Sequence, residues 1–288
     1  MPNRIPHGRQ TSCMIKRAYI EILNACNLSC AFCQKNTRPI RQMTEAEFRH
    51  VLHEVLPLTP YIYLHVQGEP LLHPQLDAIL SACDEAGANV LLVTNGTFLS
   101  RWPHLYEHSC LHRISISLQS IEYQPDFEQY ADSLLCFLQA LPKDHPFVCD
   151  LRFWRSDQMD LPKTSRLLSL LKSRYLFEPS GRRDQYKLAE KLYVSCANSF
   201  EWPSSASAAP VRGTCLGGRE QIAVLSDGTV VPCCLDADGH IPLGNIFETP
   251  LSDILQSSRY RALVQGFENR YVVEPFCAGC SFRHRFDR

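Results

Sequence analysis

Three cysteines stand at spacings of four and three within one short segment, Cys26-Asn27-Leu28-Ser29-Cys30-Ala31-Phe32-Cys33. A single loop of this kind can wrap its thiolates around one face of an iron–sulfur cube. Each iron of such a cube ordinarily takes one cysteine, so three ligands in one loop leave one iron open to another molecule. That open iron separates a catalytic cluster from one that only carries electrons. Zinc sites bring cysteines in close pairs with a second pair elsewhere, which this segment does not do. A disulfide scaffold suits small secreted domains, not a signal-free chain of 288 residues.

Four further cysteines form a second set. Cys215 precedes, and Cys233 follows, a hairpin signal in which Ser226-Asp227-Gly228 separates Gln221–Leu225 from Thr229–Pro232. Thr249 and Pro250 start a helix with Leu251, Ile254 and Leu255 on its apolar face, and Cys277-Ala278-Gly279-Cys280 closes the set. Four thiolates can fill every corner of a second cube or hold a structural zinc. Cys234 is the alternative to Cys233 in either case.

The elements that must position these groups read as repeated strand–helix units. Strands are expected at Tyr19–Leu23, Tyr61–Val66, Val90–Val93, Ile114–Leu118 and Phe147–Phe153. Between them, Phe48, Val51, Leu52, Val55 and Leu56 follow helical spacing behind a Thr44/Glu47 capping box. Leu76, Ile79, Leu80 and Cys83 mark a second helix, stopped by Gly87. Phe127, Tyr130, Ala131, Leu134, Leu138 and Leu141 mark a third, and Pro162, after Asp160, starts a fourth. For a sixth strand, Leu192–Ser195 and Tyr175–Phe177 compete. The alternation argues for a parallel sheet with covering helices, curled by right-handed crossovers, with its site at the carboxyl ends of the strands. Five polar elements then meet at one mouth: the cysteine loop, Gln67-Gly68-Glu69-Pro70, Thr94-Asn95-Gly96, Ser117-Leu118-Gln119-Ser120 and Arg152. Tyr61, Tyr63, His65 and Gln67 share one parity and can face the barrel interior; for His65 a satisfied core role is the simpler reading, and Glu21 on strand one is treated alike.

Over 18–173 the chain resembles the radical S-adenosylmethionine (SAM) superfamily, through Cys26, Cys30 and Cys33 with Phe32 before the last cysteine, and through the strand-end motifs. The resemblance implies a partial (β/α)6 TIM-like barrel. It implies a [4Fe-4S] cluster on the three cysteines whose open iron binds S-adenosylmethionine. Reductive cleavage would give a 5′-deoxyadenosyl radical that takes a substrate hydrogen. Gly68, Glu69 and Pro70 match a Gly-Gly-Glu-Pro motif that binds the cofactor's amino group, with Gln67 replacing the first glycine. Ser117 and Gln119 match ribose-contacting positions, although many relatives carry an acid where Gln119 stands. Asn95 matches a cofactor or substrate contact, or is simply a turn residue. Arg152, the one catalytic candidate, matches a position that meets a cofactor carboxylate or the substrate. The second set resembles the twitch half of a SPASM/twitch extension, a hairpin plus helix: the Gly-x4-Cys spacing from Gly228 favours Cys233, and Cys215, Cys233, Cys277 and Cys280 would hold one auxiliary [4Fe-4S] cluster. A full SPASM domain carries more downstream cysteines than this chain has.

The expected division is a tail over 1–17, a barrel core over 18–185, a bridge over 186–212 and the twitch-type domain over 213–288. Trp202 in the bridge could cover the mouth or serve as an inter-domain anchor. A net charge of −1 gives no case for nonspecific nucleic-acid binding, and no apolar run reaches membrane-spanning length. The other seven of 14 cysteines, Cys13 among them, read mostly as packing residues in a reducing cytoplasm. The expected function is a cytoplasmic radical SAM oxidoreductase, charged by a flavodoxin- or ferredoxin-type reductant, that passes a substrate electron to the auxiliary cluster. The short stretch before the cysteine loop tilts the substrate toward a small molecule such as an alcohol or sugar, with a peptide as the alternative. A non-catalytic iron–sulfur carrier, or a zinc-stabilised binding protein, would need neither Gly68-Glu69-Pro70 nor a strand-end pocket.

Overall fold

The computed structural model describes residues 14–155, 161–203, 207 and 209–287. Cys13 and most of the expected tail, Asp160, and part of the small-residue linker before Pro210 lie outside the described residues. The barrel elements run β1 (Arg17–Ile20), α1 (Glu45–Val55), β2 (Tyr61–Tyr63), α2 (Leu76–Ala86), β3 (Asn89–Thr94), β4 (Leu111–Ser117), α3 (Phe127–Ala140), β5 (Val148–Arg155) and α4 (Pro162–Arg174). A three-stranded excursion follows, β6 (Glu178–Pro179), β7 (Gln185–Ala189) and β8 (Leu192–Asn198). β8 lies parallel to β5 and is the sixth barrel strand. It falls inside the expected bridge, so the barrel extends past residue 185. The reason is an insertion: the antiparallel β6–β7 pair must be made before the chain can re-enter the sheet.

Local chemistry sets the covering helices. Thr44 accepts from the Glu47 amide while Glu47 reaches back to the Thr44 amide, completing the capping box, and Phe48, Val51, Leu52 and Val55 are buried. Gly87 ends α2 in the left-handed conformation at φ 67°. Strand residues of one parity, among them Ile20, Ile62, Leu92, Ile114, Ile116, Leu151 and Val194, enter the core beneath the helices. Those of the other parity face the barrel lumen, where Arg113, Ser115 and Ser117 on β4 register with Val148, Asp150 and Arg152 on β5.

The C-terminal region is continuous with this sheet. After β9 (Val211–Arg212), β10 (Gln221–Val224) pairs in parallel with β1, and β11 (Thr229–Val231) and β12 (Gly244–Asn245) extend the edge. One sheet of eleven strands results, in the order β12-β11-β10-β1-β2-β3-β4-β5-β8-β7-β6. Where a hairpin and one helix were expected, the chain makes α5 (Leu251–Ile254), α6 (Ser258–Glu268), β13 (Tyr271–Val272) and α7 (Pro275–Ala278). A new N-cap separates α5 from α6, since the Ser257 hydroxyl takes the Tyr260 amide. Tyr260, Leu263, Val264 and Phe267 then bury the face of α6. No helix among the described residues is long and apolar enough to cross a membrane.

Candidate active site

The cysteine loop leaves β1 and is held from three sides. The Asn24 amide bonds the Arg41 carbonyl, and Asn24 Nδ2 donates to Pro39 O at 2.9 Å. The loop after β2 docks on it through Glu69 N to Ala25 O, 2.9 Å. That approach requires glycine at 68. Gly68 has φ +80°, and a Cβ there would stand 2.2 Å from Leu23 O and 2.9 Å from Ala25 O. The third tie is Glu21 on the strand side: its buried carboxylate accepts twice from Arg38 Nη2, at 2.7 and 2.6 Å, and also from the amides of Gln67 and Ser226.

Cys26, Cys30 and Cys33 line one cavity of about 220 Å³ together with Gln34, Lys35, Gln67 and Gly68. Burial and the neighbouring thiols raise the thiol of Cys30 to about 12; Cys26 and Cys33 are also raised, chiefly by burial. Among the described residues no three His, Cys, Asp or Glu side chains sit close enough to clasp a single metal ion. What unites the cysteines is the shared cavity wall.

The remaining site residues take roles the sequence does not disclose. Glu69 is 1% exposed and spends its carboxylate on the protein: Oε1 accepts from Leu71 N and Thr94 Oγ1, Oε2 from Asn95 N at 2.7 Å. Burial nevertheless raises its carboxyl to about 7. Pro70 opens a short 3-10 turn. Asn95 turns its amide on Cys26 and Asn27. Phe32 packs edge-on against Trp154, centroids 4.4 Å apart, and against Tyr123. The Ser117 carbonyl accepts from Ser120 Oγ. Arg152 makes no hydrogen bond or ion pair to a described residue, and it registers between Ser117 and Ser195. His65 lies edge-on to Tyr19 and Tyr63, while Tyr61 instead is exposed against His112. Thr97, Gln124, Arg38 and Asp238, whose carboxylate accepts from Gln34 Nε2 and Thr37 Oγ1 on the cysteine loop, carry no motif in the sequence beyond the run Thr94-Asn95-Gly96-Thr97.

Four buried polar atoms around the mouth and lumen have no partner: Gln34 Oε1, Gln67 Oε1, His65 Nδ1 and Gln119 Oε1. Each such atom costs about 1–3 kcal/mol. Three of the four are amide oxygens, which accept only, so a group that satisfied them would have to bring N–H or O–H donors.

The second cysteine set also shares one cavity. Cys215, Cys233, Cys277 and Cys280 line it with Leu235 and several phenylalanines. Burial and mutual repulsion raise the thiols of Cys215, Cys233 and Cys277. Four soft donors in an apolar, closed pocket suit an iron–sulfur cluster. Cys234 is not in that wall. It packs instead against the separate cluster formed by Tyr19, Val66, Ala223 and Val231.

Between the two cavities lies a cleft of about 640 Å³. Cys33, Gln34 and Lys35 line both it and the first cysteine cavity, and Pro203 lines both it and the second. Trp202 stands over this cleft with its indole N–H on Phe32 O at 2.9 Å, and Phe200 ties it to Trp154 and Phe282. Trp202 thus lines the cleft and joins the bridge to the cysteine loop.

A parallel partial barrel with polar loops and a three-cysteine segment at its strand ends defines an α/β barrel enzyme of the iron–sulfur kind. Residues 20–133 match the radical SAM superfamily, and residues 215–281 match the SPASM iron–sulfur cluster-binding domain. The chain thus carries a radical SAM domain followed by a SPASM-type domain. Its cofactors are S-adenosylmethionine with the [4Fe-4S] cluster that binds it, and an auxiliary iron–sulfur cluster. The chain is 25% identical to a protein of Methanosarcina barkeri named AdoMet-dependent heme synthase, over 91% of this chain and 90% of that one. It is 30% identical to the GTP 3′,8-cyclase of Microcystis aeruginosa over 36% of this chain and 34% of the other. Among solved structures, BtrN in complex with AdoMet and 2-DOIA aligns at TM-score 0.54 and 17% identity over 89% of this chain and 88% of that one. Native anSMEcpe with AdoMet and the Cp18Cys peptide aligns at 0.57 and 14%, over 94% and 87%. These two likenesses concern the fold.

Proposed function

We propose that the chain is a radical SAM oxidoreductase in which Cys26, Cys30 and Cys33 hold the SAM-binding cluster and Cys215, Cys233, Cys277 and Cys280 hold the auxiliary one. When bound, the first cluster, once reduced, would supply with S-adenosylmethionine a 5′-deoxyadenosyl radical for hydrogen abstraction, and the auxiliary cluster, in its oxidised form, would supply an acceptor for the substrate's second electron. The carrying observation is the cleft that shares Cys33 with one cysteine cavity and Pro203 with the other. A substrate seated there touches the walls of both. Gly68 brings the second loop onto the cysteine loop, Gln67 and Gln119 offer unpaired amide oxygens to the nucleoside, and Arg152, which has no ion-pair partner among the described residues, offers its guanidinium to a carboxylate. Trp202 and Phe200 form an aromatic wall of the cleft. A small-molecule substrate is favoured by the likeness to a heme synthase across nine-tenths of the chain.

The test is anaerobic reconstitution with iron and sulfide, then dithionite and S-adenosylmethionine, with 5′-deoxyadenosine as product. Production is expected from the parent protein and loss from Cys30→Ala. A Cys215→Ala/Cys277→Ala protein should still cleave S-adenosylmethionine but no longer oxidise substrate. A protein that carries iron and never yields 5′-deoxyadenosine is a carrier instead.

A further inference from the structure

The loop after β3 contains a side chain aimed at sulfur. Asn95 Nδ2 lies 3.6 Å from Cys26 Sγ and 2.9 Å from Asn27 Oδ1. The orientation of this amide is not arbitrary. Its Oδ1 accepts from the Thr97 backbone N–H at 2.9 Å, and a backbone N–H can only donate. The oxygen is thereby fixed toward Thr97, so the NH2 must face Cys26. A second bond, from Thr97 Oγ1 at 2.6 Å, reinforces this. With its proton given to Asn95, the Thr97 hydroxyl accepts from Gln124 Nε2 at 2.9 Å and Asn27 Nδ2 at 3.0 Å. The Asn95 backbone is locked as well: its N–H is on Glu69 and its carbonyl accepts from Tyr130 Oη at 3.0 Å. Asn95 is 9% exposed, so water competes little for its donors.

Cys26 Sγ receives a second donor, the Leu28 amide at 3.4 Å. Hydrogen bonds to the ligating sulfurs are one of the levers that set an iron–sulfur potential, because they draw charge from the thiolate and stabilise the reduced, more negative cluster. We infer that Asn95 is a positioning residue that raises the reduction potential of the SAM-binding cluster through Cys26, with Thr97 and Gln124 as the frame that holds its amide. This goes beyond the proposed function but rests on Cys26 being a ligand there.

The experiment uses the whole reconstituted protein and no turnover assay. The midpoint potential is measured by anaerobic dithionite titration, following the reduced-cluster EPR signal that changes when S-adenosylmethionine is added. Asn95→Leu keeps the volume and removes the donor. It should retain the iron of that cluster and move its midpoint to a more negative potential. Thr97→Val removes the hydroxyl that reinforces the backbone N–H in holding the amide and should shift it the same way by less; Asn95→Asp, which replaces the donor by an acceptor of the same shape, should also move it to a more negative potential and decides the matter if Asn95→Leu does not fold. Midpoints equal to that of the parent in the folded variants overturn the inference. Cys26→Ala separates the two levels. If it strips iron while the other variants leave the potential unmoved, only the role of Asn95 fails. If it leaves the SAM-responsive cluster intact, the ligand assignment itself fails.

Discussion

Arg38 closes on Glu21 with both carboxylate oxygens within 2.7 Å, although Glu21 is fully buried and directly follows β1 while Arg38 belongs to the outgoing arm of the cysteine loop. The same carboxylate holds Gln67 N on the second loop and Ser226 N in the C-terminal hairpin, and Arg38 Nε reaches Ala237 O. One buried charge thus ties four segments, including the loops on which both cysteine sets depend. Removing Arg38 strands that charge. Arg38→Met should cost about 3–5 kcal/mol, read as a lower denaturant midpoint, and Glu21→Gln combined with it should recover part of the loss.

Gly68 is set by sterics rather than by chemistry. An alanine there meets Leu23 O at 2.2 Å and takes an unfavourable positive φ. Strain of this kind is worth about 1–3 kcal/mol, and the loop can relieve it only by leaving the cysteine segment. Gly68→Ala should weaken S-adenosylmethionine binding, measured by equilibrium dialysis, by tenfold or more on the usual conversion of about 1.4 kcal/mol per decade.

His65 is held neutral. Burial, and then the Arg152 guanidinium, push its pKa down to about 4. A depressed histidine contributes stability that is complete above its ordinary value near 6.5 and is lost as pH falls toward 4. At about 1.4 kcal/mol per unit, the loss across that window is at most roughly 3 kcal/mol. His65→Phe keeps the ring contacts with Tyr19 and Tyr63 and should flatten the pH dependence of the melting temperature between pH 6.5 and 4.

The neighbouring cysteines Cys233 and Cys234 should behave differently. Cys233 shares a cavity with Cys215, Cys277 and Cys280, whereas Cys234 lies outside that wall and packs against the cluster around Tyr19. Cys233→Ala should lose the auxiliary cluster, seen as a drop in iron and sulfide per chain. Cys234→Ala should keep both near the parent values. Equal iron loss from the two variants would contradict the assignment.

Much of the architecture could be read from periodicity, because strand and helix burial is a local pattern. The capping box at Thr44, the stop at Gly87 and the hairpin around Gly228 all form where short-range chemistry places them. The sixth strand was ambiguous because the β6–β7 insertion separates it from α4, and no local signal says which apolar run re-enters the sheet. Helix α6 escaped notice because its start depends on a serine cap in a polar stretch.

By itself the sequence determined the strand–helix alternation, the spacing of both cysteine sets and the loops that end the strands, since each is a property of neighbouring residues. Only the tertiary structure decided that β10 pairs with β1, that Cys234 packs against the cluster around Tyr19 while Cys233 faces its three partners, and that Glu69 and Asn95 spend their side chains holding loops and sulfur. Those outcomes depend on which distant groups share a wall or a hydrogen bond. Such contacts join residues up to about two hundred positions apart, as Glu21 and Ser226 are, and no local pattern encodes them.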